Sequence, residues 1–361
     1  LLIDVVEMLT EIPESELQTQ YRAWYAKHIG FRSQGSVPGN LFYLTDPIEF
    51  TVTVRRPKMT IPLSVTGQVE DVRGERIASV GPMPLTEQDD YRNSFRPVVK
   101  QRGYFEIHWT VTPEGDTNAA AQAQTSFAVI PENEHETPQP DSPFGVNVHF
   151  TQGWPPEIAS LIQRTGIKWI RDHWGGQYDA SAGEYQSLDP TLLLAREHGL
   201  CYLPLSPYWN AKQMEEVDGV WRHDAGARQA EAYARKHRGY FDAYELYNEP
   251  NNFGGWTGRF GGSWNGGGWL APFVDFGRQI TRAIQRGDPD SMVLWPEGDV
   301  FVLTKQFVEA GARPELDAIA PHTYSLHQPS YPEDQPFLRS IAEVKDFLRQ
   351  ARLSDQIWST E

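Results

Sequence analysis

Residues 144–174, FGVNVHFTQGWPPEIASLIQRTGIKWIRDHW, contain the repeating unit of the chain's second half. Phe144–Phe150 reads as a strand and Pro155–Thr165 as a helix. Pro stands at the helix start, Ile158, Leu161 and Ile162 share one face, and Gly166 follows the last turn. Ile167–Asp172 is then a second strand. The alternation continues to the end of the sequence. Further strands are predicted at Cys201–Ser206, Phe241–Tyr247, Met292–Trp295, Leu316–Ala320 and Gln356–Thr360. Helices are predicted at Asp189–His198, His223–Arg238, Leu270–Arg286, Val302–Ala312 and Gln335–Ala351. Strands alternating with helices, and no returning antiparallel strand, predict an α/β fold of the (β/α)8 TIM-barrel type. Closure needs an eighth strand and none follows the seventh in this sequence, so the expectation is a barrel that is C-terminally incomplete. A doubly wound open sheet is the alternative, but no phosphate-binding glycine fingerprint follows the first strand.

Upstream the pattern differs. Residues 132–143, ENEHETPQPDSP, have a linker composition. Residues 40–131 alternate at period two, as in Ile48–Val54 and Leu63–Val69. Tyr104–Val111 and Ser126–Ile130 add β-branched and aromatic runs, and Asp71-Val72-Arg73-Gly74 reads as a hairpin turn. This predicts a small antiparallel β-sandwich before the barrel. Residues 1–39 read as an N-terminal segment, partly helical, with a capping-box start at Ser15 and Gln18 for a helix through His28. The domain reading is therefore 1–39, 40–131, a linker at 132–143, and a barrel at 144–361.

The formal net charge is −16, which argues against a nucleic-acid partner. No apolar run approaches the roughly eighteen residues of a membrane span. One cysteine, Cys201, rules out an intrachain disulfide and a cysteine-based zinc site. There are 12 Trp, most of them after residue 150 and beside predicted loops. Flat indole faces suit the C–H faces of sugars, although for any single Trp the pinning of a long loop is the better explanation. The glycine-rich stretch Gly254–Gly268 reads either as a substrate-covering loop or as a long disordered insertion.

Barrel active sites lie at the C-terminal ends of the strands. Those ends are Asn147-Val148-His149-Phe150, Arg171-Asp172-His173-Trp174, Ser206-Pro207-Tyr208-Trp209, Asn248-Glu249-Pro250-Asn251-Asn252, Trp295-Pro296-Glu297-Gly298-Asp299, His322-Thr323-Tyr324 and Trp358-Ser359-Thr360-Glu361. Polar and aromatic side chains collect at one end of nearly every strand. Glycoside cleavage needs two carboxyl groups, about 5–5.5 Å apart when the anomeric configuration is retained. Strands four and seven face each other across a barrel mouth, so Glu249 and Glu361 could meet there.

Tyr247-Asn248-Glu249-Pro250-Asn251 resembles the Asn-Glu-Pro signature of clan A (β/α)8 glycoside hydrolases. Ile357-Trp358-Ser359-Thr360-Glu361 resembles that clan's nucleophile strand, and His322-Thr323-Tyr324 its sixth-strand motif. The similarity is closest to glycoside hydrolase family 39 and covers residues 144–361. It implies a retaining glycosidase with Glu249 as acid/base, Glu361 as nucleophile and Asn248 at the sugar 2-hydroxyl. Apart from the resemblance, the many Trp favour a poly- or oligosaccharide substrate; no cofactor is expected, and the expected location is extracellular or periplasmic.

Electrostatics suggests the supporting cast. Arg171 is the candidate cation beside the nucleophile and Tyr324 a candidate donor to it. Glu249 needs a raised pKa in order to arrive protonated. His149, His173 and His322 read as sugar-contacting or orienting groups, and equally as hydrogen-bonded core histidines. Trp174, Trp209, Trp256 and Trp295 are candidate sugar platforms. Glu297 and Asp299 are rival carboxylates. Two other functions stay open: a non-catalytic carbohydrate-binding barrel, and a metal-dependent barrel hydrolase drawing on His149, His173, His322 and Asp299. No zinc-hydrolase histidine pairing is present, so no metal is assigned, and structural calcium in a loop remains open.

Overall fold

The computed structural model describes residues 16, 19, 27, 29–55, 63–85, 90–113, 121–133, 137–252, 254–297, 302–322 and 337–360. The helix expected over residues 15–28 lies outside them apart from Glu16, Thr19 and Lys27. The chain divides into two compact units, Leu1–Asn133 and Glu134–Glu361.

The first unit holds two sheets. One has the order β1 (Gly30–Gly35), β3 (Phe50–Arg55), β6 (Asp90–Phe95). The other runs β2 (Leu41–Tyr43), β8 (Ala121–Ile130), β7 (Gly103–Pro113), β4 (Leu63–Asp71), β5 (Arg76–Leu85). Alternation at period two gives each sheet an apolar inner face. Phe50, Val52 and Val54 of β3 share one core with Val65, Ile107, Trp109 and Phe127 of the other sheet. Phe50 meets Phe127 edge-on at 5.3 Å, and Phe95 meets Trp109 in the same way at 5.0 Å. The expected turn joins β4 to β5: Gly74 N–H donates to Asp71 O at 2.9 Å, with Gly74 at φ 78°. One pairing departs from the antiparallel expectation, because β2 runs parallel to β8.

The second unit holds a six-stranded, all-parallel sheet in sequential order: β9 (Gly145–Asn147), β10 (Trp169–His173), β13 (Cys201–Leu205), β16 (Ala243–Glu245), β17 (Met292–Glu297) and β18 (Ala318–Pro321). Between these strands come α1 (Ile158–Thr165), α2 (Pro190–Glu197), α3 (Asp224–Lys236), α4 (Gly254–Phe260), α5 (Leu270–Gly287) and α6 (Leu303–Glu309), and α7 (Phe337–Gln350) follows β18. None of the helices among the described residues is long and apolar enough to cross a membrane. The seventh strand position is held by 356–360. There Trp358 N–H donates to Ile319 O at 2.9 Å and Thr360 N–H to Pro321 O at 3.2 Å. The sheet is curled: Trp169 on β10 reaches Trp358 on the seventh segment, ring centres 5.3 Å apart. The described residues thus form a curled parallel sheet with a seventh segment beside it, rather than a closed eight-stranded barrel.

Two small antiparallel hairpins interrupt the alternation: β11 (Tyr178–Asp179) with β12 (Glu184–Tyr185), and β14 (Glu215–Val217) with β15 (Val220–Arg222). The strands sort their residues by parity. Trp169, Leu203, Ala243, Leu294, Ala318 and Ala320 face the inside of the curl. Ile170, Tyr202, Tyr244, Val293, Trp295 and Ile319 pack outward in the larger core that also takes the apolar stripes of the helices. On α5, Gly277 is the point of closest approach, since a Cβ there would lie 2.5 Å from the Trp295 ring.

Replacing Gly277 with Ala weighs helix propensity against packing. Alanine gains up to about 1 kcal/mol as a helix former, while overpacking a filled core costs about 1–3 kcal/mol. Packing wins because the ring is itself wedged against Phe273 and Phe307. Urea denaturation should show Gly277→Ala destabilised by roughly 1–2 kcal/mol. Equal or greater stability would mean that the helix can lift from the indole.

Candidate active site

The parity that builds the inner apolar layer also builds the polar layer above it. Two residues beyond Trp169, Ala243, Ala320 and Trp358 stand Arg171, Glu245, His322 and Thr360. These groups converge inside the curl at the C-terminal ends of the strands. Arg171 holds Glu245 through two bonds, Nε to Oε2 at 2.5 Å and Nη2 to Oε1 at 2.8 Å. Its Nη2 also donates to Asn248 Oδ1 at 2.7 Å, and its Nη1 to Asn147 Oδ1 at 3.4 Å. Thr360 Oγ1 donates to Glu245 Oε1 at 3.3 Å. Glu245 is fully buried, and Arg171 is only 8% exposed. Burial by itself drives a carboxyl pKa up, but the Arg171 charge and hydrogen bonds outweigh it and hold Glu245 at about 2.

Glu249 stands one turn of chain further on. It follows Asn248, whose side-chain amide donates from Nδ2 to the Tyr208 hydroxyl at 3.0 Å. Glu249 has φ 43°, a left-handed conformation that costs a non-glycine residue roughly 1–2 kcal/mol. The bend brings Glu249 Oε1 to 2.8 Å from His322 Nδ1, while Oε2 accepts from Asn252 Nδ2 at 2.8 Å. Arg171 Nη2, which can only donate, lies 3.5 Å from His322 Nε2. The neutral tautomer with its hydrogen on Nδ1 fits both contacts, so His322 donates to Glu249. That hydrogen bond, outweighing partial burial, holds the Glu249 pKa below its ordinary value. The sequence reading anticipated a raised pKa. The correction comes from the sixth strand, whose His322 supplies a hydrogen-bond donor to that carboxyl.

Arg171, Asn248, Glu249 and His322 are therefore brought together. His173 joins at the edge, with Nδ1 3.2 Å from Ser206 O and its ring 4.8 Å from that of Tyr208; burial lowers its pKa and favours the neutral ring. His149 lies apart and exposed, against the Trp154 ring at 5.1 Å. Glu361, Thr323, Tyr324 and Asp299 lie outside the described residues.

Several predicted residues belong to the core. Trp295 is fully buried and donates to Glu315 O at 2.9 Å. Trp256 is packed among Tyr247, Phe273 and Phe276. Trp174 lies on Tyr233 at 4.3 Å, and Trp209 meets Phe276 and donates to Gln229. With their faces covered by protein, these four indoles offer no platform to a sugar in this structure. Among the described Trp side chains, Trp154 and Trp264 are the exposed ones, at 41% and 43%. Glu297 is buried with both oxygens committed, accepting from Leu303 N and Thr304 N at 2.9 and 2.5 Å, so it caps α6. Within Gly254–Gly268 the described residues are ordered: Gly254–Phe260 is helical, and Ser263 bridges Gly266. Gly268 is obligatory in that turn, as a Cβ there would lie 2.2 Å from Phe260 O. Among the described residues no group of three or more His, Cys, Asp or Glu side chains could hold a metal ion.

Glu245 is the residue of this buried polar cluster that the sequence does not single out. Its signal was present as a lone charge in Phe241–Tyr247, in phase with inward-facing Ala243.

No family model matches the chain, and no curated protein matches it. Solved structures do. Bacteroides uniformis β-glucuronidase 2, covalently bound to cyclophellitol-6-carboxylate aziridine, is 14% identical. That match covers 90% of this chain and 38% of that one, with a TM-score of 0.37. Apo β-glucuronidase from Ruminococcus gnavus is 13% identical over 91% of this chain and 52% of that one, TM-score 0.35. Parabacteroides merdae β-glucuronidase is 15% identical over 91% and 39%, TM-score 0.34. This chain thus spans about half or less of the length of those proteins. At such TM-scores the likeness carries no functional argument, and the site has to be read from its own geometry.

The buried pair makes a signed prediction. With a folded pKa of about 2 against an ordinary 4.5, Glu245 contributes stability that is fully present above pH 4.5 and is lost as pH falls toward 2. Removing the cation in Arg171→Met leaves a buried carboxylate unpaired, at a cost of roughly 3–5 kcal/mol near neutral pH. Burial then raises the Glu245 pKa, so the variant takes up its proton readily. The destabilisation relative to wild type, measured by urea unfolding, should shrink as pH is lowered from about 7 to about 3. A penalty independent of pH would show that the pair is not the ionised one described.

Proposed function

We propose that this chain is a retaining glycoside hydrolase acting on a poly- or oligosaccharide outside the cell or in the periplasm. In this reading Glu249 is the acid/base and Glu361 the nucleophile. The observation that supports it best is the arrangement at the end of β16. A strained backbone turns the Glu249 carboxyl toward His322 at the open end of the curl, and the Asn248 amide beside it is fixed on both sides by Arg171 and Tyr208.

The chemistry is a double displacement. Glu361 attacks the anomeric carbon as Glu249 transfers its proton to the departing glycosidic oxygen, giving a covalent glycosyl ester. Glu249, now a carboxylate, takes a proton from water, whose oxygen displaces Glu361 from the anomeric carbon. The first step needs protonated Glu249. Since His322 holds that carboxyl low, the basic limb of the pH profile is expected to lie lower than an unperturbed carboxyl would place it.

Glu249→Ala should lose about 10²–10⁴-fold or more in turnover with circular dichroism and unfolding midpoint retained. Glu361→Ala should lose turnover comparably, and azide should rescue the two variants through different products. Hydrolysis of a polysaccharide panel with product sizing reads the activity. His322→Ala should move the basic limb of kcat/KM to higher pH, because it removes the bond that depresses Glu249. Unchanged turnover in Glu249→Ala would reject the assignment.

A further inference from the structure

Resting on that reading, we propose that Glu245 is the positioning residue of the site: a side chain that touches no substrate yet sets where the reacting groups stand. Its carboxylate joins four elements. Arg171 comes from β10, His322 from the end of β18, Thr360 from the seventh segment, and Glu245 itself from β16. Each partner is directed at the reaction centre. Arg171, fixed by two bonds to Glu245, has one direction left for its Nη2, and that bond sets the amide plane of Asn248. His322 is packed with Nε2 3.9 Å from Glu245 Oε1, leaving Nδ1 on Glu249. Thr360 is the residue before Glu361, and its hydroxyl is tied to the same Oε1.

The charge matters as much as the shape. Paired with Glu245, Arg171 is a neutralised cation, and its pull on Glu249 ranks behind the local hydrogen bonds. Removing the negative charge at Glu245 without changing its outline takes away a carboxylate that offsets the Arg171 charge beside the acid/base, which then gives up its proton more readily. A merely structural carboxylate, once lost, would lower stability and the folded fraction and leave the pH profile in place.

The test compares wild type, Glu245→Gln and Glu245→Asp as full-length protein. It uses an aryl glycoside that the wild type hydrolyses, with active sites counted by a mechanism-based inactivator. Glu245→Gln should lose at least tenfold in kcat per folded site with a smaller change in KM, and its basic limb should move to lower pH. Glu245→Asp keeps the charge but withdraws it by one methylene, so kcat should fall while the limb stays near that of wild type. If Glu245→Gln does not fold, Thr360→Val removes one donor from the same carboxylate at a half-exposed position; it should lower kcat without lowering the unfolding midpoint. Wild-type kcat and wild-type limbs in the folded Glu245 variants, or in Thr360→Val when those do not fold, would overturn the proposal. A wild type that hydrolyses no glycoside would instead remove the reading on which it rests, so the two failures are distinct.

Discussion

The ion pair between Arg171 and Glu245 is the constraint around which the second unit is organised. A fully buried carboxylate is tolerable when it is paired and hydrogen-bonded, and ruinous when it is not. Here the pairing requires β10 and β16, with β13 between them, to hold one register. Glu245 lies opposite Leu205 on one side and Leu294 on the other, and Arg171 opposite Leu203. A slip of one residue would turn both charges into the apolar layer under the helices. The pair thus works as a registration pin for the sheet, in addition to whatever net stability it supplies.

Above the pin, the candidate site is assembled largely from leftovers of that geometry. Asn248 takes the guanidinium hydrogen that Glu245 does not use. His322 fits between the two glutamates because its two nitrogens meet a donor on one side and an acceptor on the other. The result is two short runs of hydrogen bonds, Tyr208 with Asn248 and Arg171, and His322 with Glu249, with the guanidinium packed 3.5 Å from the imidazole between them. Moving one member changes the charge felt at the next, and this is why the acidity of Glu249 is governed from two strands away.

The sequence made the alternating architecture legible because strand and helix periods differ and glycine or proline punctuates each junction. The Asn248-Glu249-Pro250 turn was legible because its chemistry is concentrated in adjacent residues. Glu245 was not picked out, since a single charge inside an apolar run acquires meaning only when a partner 74 residues away in the chain faces it. The tryptophans misled for a different reason. Wide rings were read as loop residues in search of a ligand, whereas the space between curled strands and their covering helices demands bulk. Trp295 fills it directly beneath Gly277, and Trp256 fills it among Phe273 and Phe276. The pKa of Glu249 was misjudged because its nearest neighbour arrives from β18 by folding and not by sequence.

The left-handed backbone at Glu249 sets fitness criteria against each other. Glycine would relieve the steric cost at that position, and asparagine would bear it more easily than glutamate does. A lineage selected only for robustness would therefore drift away from glutamate there, and a designer chasing thermostability by relaxing unusual dihedrals would be drawn to this residue first. In the proposed role the strain at Glu249 is a cost carried for chemistry, so a relative with glycine or asparagine at this position is expected to keep the scaffold without the acid/base.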